Sequence, residues 1–186
     1  MLPIASPFTE ARRAPNDFVL IPSRGSFISS DHSTIENLHL GITNHAGEVT
    51  SFDFNGICYE KGFENRWSEC LSLNFIQKLS QDQSDIDLFN LFWSSSLAEL
   101  ISVKRTNYHP VDNNCFDFGL EMITILTRKL KEANNRRLCE VIQILDQVKC
   151  DKVSFCQNFV VERTKLAALY LCFHRKLGHL PVVCSS

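Results

Sequence analysis

The clearest hydrophobic pattern in the chain is a period of two over residues 38–54, LHLGITNHAGEVTSFDF. Apolar residues occupy alternate positions on both sides of a polar turn that ends in Gly47. Such alternation places apolar side chains on one face of a strand, and glycine adopts the positive φ of a tight turn at little cost. The pattern therefore predicts a β-hairpin with a three-residue loop, residues 45–47.

The loop length also predicts the register of this hairpin, because it sets residue 44 opposite residue 48. Counting back along both strands gives three further cross-strand pairs: Leu40 with Phe52, Gly41 with Ser51, and His39 with Asp53. A slip of one residue would put His39 against Phe52, so the apolar pattern supports the same register. His39, Ser51 and Asp53 are predicted to share the face opposite Leu40 and Phe52.

Further strands and helices divide between the two halves of the chain. The sequence predicts strands over residues 17–22 and 70–75, and another over residues 25–29. Helical periodicity appears over residues 115–130, 139–148 and 161–177, and in a segment capped by Ser84 or Asp85 that runs to about residue 102. The predicted fold is α+β, with an antiparallel β-sheet in the N-terminal half packed against C-terminal helices. We expect residues 1–15 to be an irregular N-terminal segment and residues 16–186 to form a single α+β domain.

Composition narrows the classes of partner. The net charge is −2 and 44% of the residues are hydrophobic, and no extended cluster of Lys and Arg is present. This balance predicts neither nucleic acid nor an anionic membrane as the main partner. The longest apolar run, residues 166–173, is less than half a membrane span, so no membrane span is expected. The first fifteen residues hold three prolines and an Arg-Arg pair instead of a signal sequence, which predicts a cytoplasmic or nuclear protein that is not secreted.

Eight cysteines are present without any C-x-x-C pair, and we expect all of them to be reduced thiols. Four residues near the end of the chain could suggest zinc: Cys172, His174, His179 and Cys184. Their spacing lacks the tight C-x₂₋₄-C knuckle of common zinc sites, and Cys172 falls within an apolar helical run. We therefore predict no metal site and no cofactor.

One constellation could support thiol chemistry. Asn113 or Asn114 can cap the helix that begins at Cys115, and a helix N-terminus favours thiolate. His39 is the candidate base, with Asp53 directly across the hairpin to orient its imidazole and Ser51 as the diagonal alternative. A cysteine at a helix start is more often a packing residue, and a strand histidine is often a polar surface residue.

The order of these segments resembles two permuted papain-like groups. These are the PPPDE-type isopeptidases, which remove ubiquitin-like modifiers, and the lecithin–retinol acyltransferase-like thiol enzymes. The matching pieces are residues 39–57, HLGITNHAGEVTSFDFNGI, and residues 113–118, NNCFDF. The resemblance implies that Cys115 is the nucleophile and His39 the base. Acyltransferase-like members carry another histidine where this chain has Ser51, so the isopeptidase version fits better.

Five further segments resemble the makorin-2 opposite-strand protein family: SPFT, LHLGITNHAGEV, RWSECLSL, YHPVDNNC and FVVERTKLA. That resemblance covers most of the chain and implies a shared fold without an assigned activity. Two functions follow as hypotheses. One is isopeptidase-like cysteine hydrolase chemistry at the Cys–His site, acting on a modified protein. The other is a non-catalytic protein–protein interaction domain that keeps the fold. The oligomeric state and the substrate are left open by the sequence.

Overall fold

The computed structural model describes residues 5–28, 37–63, 65–104 and 107–178. Six antiparallel strands make one sheet in the order β1-β6-β2-β3-β4-β5. The strands are β1 (Phe8–Thr9), β2 (Phe18–Pro22), β3 (Leu38–Thr43), β4 (Val49–Asp53), β5 (Gly56–Glu60) and β6 (Cys70–Ser72). All six precede the helices, which confirms the predicted α+β class and the antiparallel sheet in the N-terminal half.

The predicted hairpin register is confirmed. Strands β3 and β4 pair Gly41 with Ser51, and the backbone N–H of Asn44 donates to the carbonyl oxygen of Glu48 at 3.0 Å. Gly47 has a φ of +74°, as the three-residue loop requires. Continued beyond the Gly41–Ser51 pair, the same register places His39 opposite Asp53.

The helices follow the sheet in sequence. They are α1 (Phe75–Leu79), α2 (Gln83–Val103), α3 (Cys115–Glu132), α4 (Cys139–Val148), α5 (Lys152–Phe155) and α6 (Val161–Leu177), with a π-helical turn, Cys156–Val160, joining the last two. Asp82, two residues before the predicted cap, is the N-cap of α2 and accepts from the backbone N–H of Ser84 at 2.8 Å. Gly178 ends α6 with a φ of +66°, as its sequence predicts.

The two faces of the sheet carry different cores. Alternation along β2, β3 and β4 sends Phe18, Leu40 and Phe52 to the face on which the helices pack. The opposite face, here called the back face, is covered by a smaller cluster that contains Val19, Val49 and Trp67. The N-terminal segment and the 3₁₀ turn Asn65–Ser68 cover the back face. Among the described residues, no helix longer than one turn packs on this face.

Several local predictions are wrong. Residues 25–28 form bends and a turn instead of a strand, and residue 29 lies outside the described residues. The strand predicted over residues 70–75 ends at Ser72, because Asn74 takes a left-handed conformation with a φ of +50° and α1 begins at Phe75. Strand β5, helix α1 and the segment from α5 through the π-helical turn were not predicted.

The N-terminal segment is more ordered than its sequence indicates. Phe8 lies in β1, pairs with Leu71 of β6 and is fully buried. The 3₁₀ turn Ala11–Arg13 follows, and the backbone N–H of Arg12 donates to the carbonyl oxygen of Gly62 at 3.0 Å. Residues 8–14 therefore complete both one edge of the sheet and the cover of its back face.

Candidate functional site

Cys115 begins helix α3, and the local sequence explains why the helix starts there. The side chain of Asn114 accepts from the backbone N–H of Phe116 at 2.9 Å, and the carboxylate of Asp117 accepts from the backbone N–H of Asn114 at 2.9 Å. This reciprocal arrangement is a capping box, which satisfies N–H groups that a helix start leaves unpaired. Of the two asparagines that the sequence offers as caps, the structure uses Asn114.

The thiol of Cys115 is buried. Only 4% of the residue is exposed, and its side chain belongs to the core between the sheet and the helices. Burial raises the pKa of Cys115, while backbone N–H groups of Leu40, Phe116 and Cys115 itself lower it by a smaller amount. The capped helix start is present as predicted, yet desolvation outweighs it and favours the neutral thiol.

An open groove of about 1260 Å³ lies beside Cys115. Its lining is mostly apolar or aromatic and includes Leu38, Phe54, Tyr108, Phe116, Cys156 and Val160. The ring of Phe54 is 79% exposed and contacts the ring of Tyr108, with centroids 4.4 Å apart. Arg24 is the one residue of this lining that carries a charge. The groove thus combines apolar surface, two thiols and few charged groups.

His39 lies on the back face of the sheet. Its ring is 6.0 Å from that of Trp67, and the residue is 7% exposed. Burial and, to a smaller extent, the nearby guanidinium of Arg66 lower the pKa of His39 to about 4, against smaller opposing effects of Asp53 and Glu60. The Nε2 atom is buried without a hydrogen-bond partner among the described residues. At neutral pH the imidazole is uncharged.

Ser51 and Asp53 share the back face with His39, as the register predicts. Ser51 is fully buried, and its hydroxyl has no hydrogen-bond partner among the described residues. One carboxylate oxygen of Asp53 accepts from the backbone N–H of Asn55 at 2.8 Å and from the thiol of Cys58 at 3.4 Å. The guanidinium of Arg66 lies 3.8 Å from the other oxygen. The Asp53 carboxylate is thus engaged with groups other than the imidazole.

The sheet separates His39 from Cys115. A Cβ atom at Gly41, two residues after His39, would meet Val49 and Trp67 on the back face, whereas Gly119 of α3 approaches Leu40 on the other face. Since neighbouring residues of a strand point to opposite faces, His39 faces away from α3 and from Cys115. The physical reason is that α3 buries its apolar side against the apolar face of β3, which is the face that His39 does not occupy.

Comparison with known proteins bears on the resemblance to the makorin-2 opposite-strand family and not on the papain-like one. A family model described as DUF4796 C-terminal matches residues 1–177. The chain belongs to the DUF4796 C-terminal family. It is 26% identical over 175 residues to the MKRN2 opposite strand protein of Homo sapiens, an alignment that covers 94% of this chain and 68% of the human protein. No solved structure matches. The predicted membership of the makorin-2 opposite-strand family is confirmed.

In this DUF4796 C-terminal chain, sequence reasoning missed the polar residues that accompany His39. Trp67 donates from its indole N–H to the carboxylate of Glu60 at 2.7 Å, and Arg66 donates to the same carboxylate at 2.9 Å. Cys58 lies opposite Ser51 on β5. An available signal was the Asn55-Gly56 dipeptide after β4, which is typical of a hairpin turn and would have predicted β5.

The remaining cysteines of the DUF4796 C-terminal chain do not form a further site in the described ranges. The seven cysteines within these ranges are unpaired thiols, and Cys184 lies outside them. No group of three or more His, Cys, Asp or Glu side chains within residues 5–28, 37–63, 65–104 and 107–178 is placed to hold a metal ion. His179, like Cys184, lies outside this part of the chain. No helix in the described residues is long and apolar enough to cross a membrane.

Proposed function

We propose that this domain is a non-catalytic protein-binding domain whose groove beside Cys115 holds an extended apolar segment of a partner protein. The observation that carries the proposal is the contrast between the two faces of the sheet. One face ends in an open groove lined by aromatic side chains, and the imidazole that thiol catalysis would need lies beyond the sheet. Proteins use exposed aromatic groups next to a concave surface as anchors for partners.

The size and chemistry of the groove support a peptide segment as its occupant. A volume of about 1260 Å³ exceeds what one side chain fills. Phe54 and Tyr108 offer apolar ring surface, and Ser23, Gly25 and Asn37 line the groove next to the ends of β2 and β3. A peptide segment with few charged residues would suit this groove, because Arg24 is the one charged residue of its lining.

A cysteine hydrolase that uses Cys115 and His39 is the alternative. The capped start of α3 supports it, because backbone N–H groups there could stabilise an oxyanion. Catalysis by a thiol needs a thiolate and a base within hydrogen-bond reach. The raised pKa of Cys115 and the lowered pKa of His39 both disfavour a thiolate–imidazolium pair.

Alkylation kinetics test the absence of a catalytic thiol. Native protein is treated with iodoacetamide between pH 6 and 9, and mass spectrometry follows each cysteine. Cys139 and Cys150 are exposed and serve as internal references. We expect Cys115 to react more slowly than both references and at the same rate in His39→Gln. Fast labelling of Cys115 that levels off well below pH 8.5 and depends on His39 would establish the hydrolase instead.

Peptide selection tests the groove directly. A library of displayed linear peptides is selected on the native protein, and the affinity of the selected sequences is measured by fluorescence anisotropy. We expect apolar and aromatic sequences that bind Phe54→Asp about tenfold or more weakly. Leu169→Asp is the matched control, because Leu169 is also exposed but lies on α6 outside the groove. Equal loss in both variants, or no selected peptide, would contradict the proposal.

A further inference from the structure

A second cavity, of about 270 Å³, lies on another part of the surface from the groove. The N-terminal segment, the end of β6, helix α1 and helix α6 all contribute to its wall. Six of its polar lining residues are Arg13, Asp17, Ser72, Asn74, Gln77 and Arg163. Its chemistry differs from that of the groove, since four of these six side chains carry N–H groups.

Asp17 forms the buried floor of this cavity and has no acceptor capacity left for a ligand. One carboxylate oxygen accepts from the backbone N–H groups of Phe18 and Phe75, each at 2.8 Å. The other accepts from the backbone N–H of Asn74 at 2.9 Å and from the hydroxyl of Ser72. Four donors thus surround the carboxylate and offset its charge, and burial raises the pKa of Asp17.

Arg163 extends from α6 into the same cavity with most of its donors unused. Its Nε donates to the backbone carbonyl of Ser72 at 2.7 Å, which fixes the plane of the guanidinium. Among the described residues no carboxylate lies within ion-pair distance of Arg163, in contrast to Arg12, Arg66 and Arg128. A half-buried guanidinium held by one neutral carbonyl retains two amino groups in the geometry that binds oxyanions.

Two further donors converge on this space. The side-chain amide of Gln77 makes no hydrogen bond to any described residue, and it lines the cavity from α1. The guanidinium of Arg13 lines it from the N-terminal segment, 3.7 Å from the carboxylate of Glu10. The N–H-bearing side chains that line the cavity therefore come from three separate parts of the chain. A ligand that satisfies them must present acceptor oxygens.

We infer that this cavity, here called the Arg163 cavity, binds a small oxyanion, either a phosphate or a carboxylate group, with Arg163 as its main ligand. Gln77 donates a hydrogen bond to the bound group, and Arg13 adds positive charge at the rim. This site is independent of the groove beside Cys115, so neither proposal depends on the other.

Titrations of the full chain with sodium phosphate and with sodium acetate, at constant ionic strength set by sodium chloride, test this inference. Two-dimensional ¹H–¹⁵N NMR follows the backbone amides of residues 72–77 and the side-chain amide of Gln77. We expect saturable shifts confined to these residues for at least one anion. The anion with the higher affinity identifies the source as a phosphate or a carboxylate.

Two variants and a control make the result specific. Arg163→Gln should weaken binding about tenfold or more, because it removes the charge and the paired donors. Gln77→Glu tests the same cavity without disturbing the core, since Gln77 is exposed. The introduced carboxylate should repel the anion and weaken binding about as much as Arg163→Gln does. Arg128→Gln removes an arginine elsewhere and should leave the affinity unchanged. Absence of saturable shifts, or equal affinity in Gln77→Glu and the wild type, would overturn the inference.

Discussion

At the scale of single residues, His39 is a neutral imidazole enclosed by the back-face cluster. Its pKa of about 4 lies below the ordinary value of 6.5, chiefly because burial disfavours the charged ring. Between these two pH values the unfolded chain binds a proton at His39 and the folded chain does not. Stability must therefore fall as the pH decreases through this window.

The expected loss is about 2 kcal/mol in the free energy of unfolding between pH 7.5 and pH 5, from a shift from 6.5 to about 4. Urea unfolding of the wild type and of His39→Gln at both pH values measures it, and the difference between the two proteins isolates His39 from other titrating groups. A pH dependence that is the same in both proteins would contradict the burial of a neutral imidazole.

The candidate site was predictable in part, and the residues involved show where prediction stopped. The alternation around His39 correctly indicated which side chains share its face, and Asn114 correctly indicated the start of α3. The relation between His39 and Cys115 depended on which face of the sheet the helix covers. The apolar stripe of α3 already favoured packing against the Leu40 face. Packing considerations could therefore have predicted that the sheet separates His39 from Cys115, whereas the spacing of motifs could not.

At the scale of elements, the β3–β4 hairpin depends on a close approach of three backbone segments. Gly47 lies at the turn with a φ of +74°, and a Cβ atom there would fall 2.3 Å from the Cα atom of Arg12. Gly62 packs against the same turn, since a Cβ atom added at Gly62 would fall 1.9 Å from the carbonyl oxygen of Gly47. The turn therefore supports the N-terminal segment as well as the hairpin register.

Gly47→Ala should lower the free energy of unfolding by more than about 2 kcal/mol, because backbone strain and a clash with the Arg12 backbone add together. Gly178→Ala is a matched control. Its φ of +66° is similar, but no atom of the described residues lies within 4 Å of the added methyl group, so about 1 kcal/mol is expected from strain alone. Chemical denaturation compares the two variants. Equal losses would mean that the Arg12 contact contributes nothing.

Long periodic elements were predicted well, and short ones were not. Helices α4 and α6 begin and end where their periodicity indicates, and α3 extends slightly beyond its predicted end. Strand β1 has two residues and α5 has four, too few for a period to be visible. Their formation depends on partners that are distant in sequence, such as the pairing of Phe8 with Leu71.

At the scale of the whole molecule, the N-terminal segment belongs to the packed structure. The ring of Phe8 stacks on Phe27 and meets the edge of Tyr170 from the last helix. Ala11 and Ala14 are buried on the other face. The segment therefore contacts both layers of core.

Phe8→Ala should lower the free energy of unfolding by about 3–5 kcal/mol, as expected for a fully buried phenylalanine. Phe54→Ala makes the same chemical change at a ring that is 79% exposed, and less than about 1 kcal/mol is expected. Thermal and urea unfolding of both variants provide the comparison. A Phe8→Ala protein as stable as Phe54→Ala would show that the N-terminal segment is not part of the cooperative fold.

The contact of Phe18 on β2 with Phe155 of α5, with ring centroids 5.7 Å apart, bears on how the protein is made. A ribosome releases the strands long before it releases the helices that cover them. At ordinary elongation rates this interval is on the order of ten seconds. During that time the phenylalanine and leucine side chains of the nascent sheet face are exposed to solvent or to a chaperone. Synonymous codon changes that slow translation between β6 and α5 would lengthen this exposure without changing the amino-acid sequence of the finished protein.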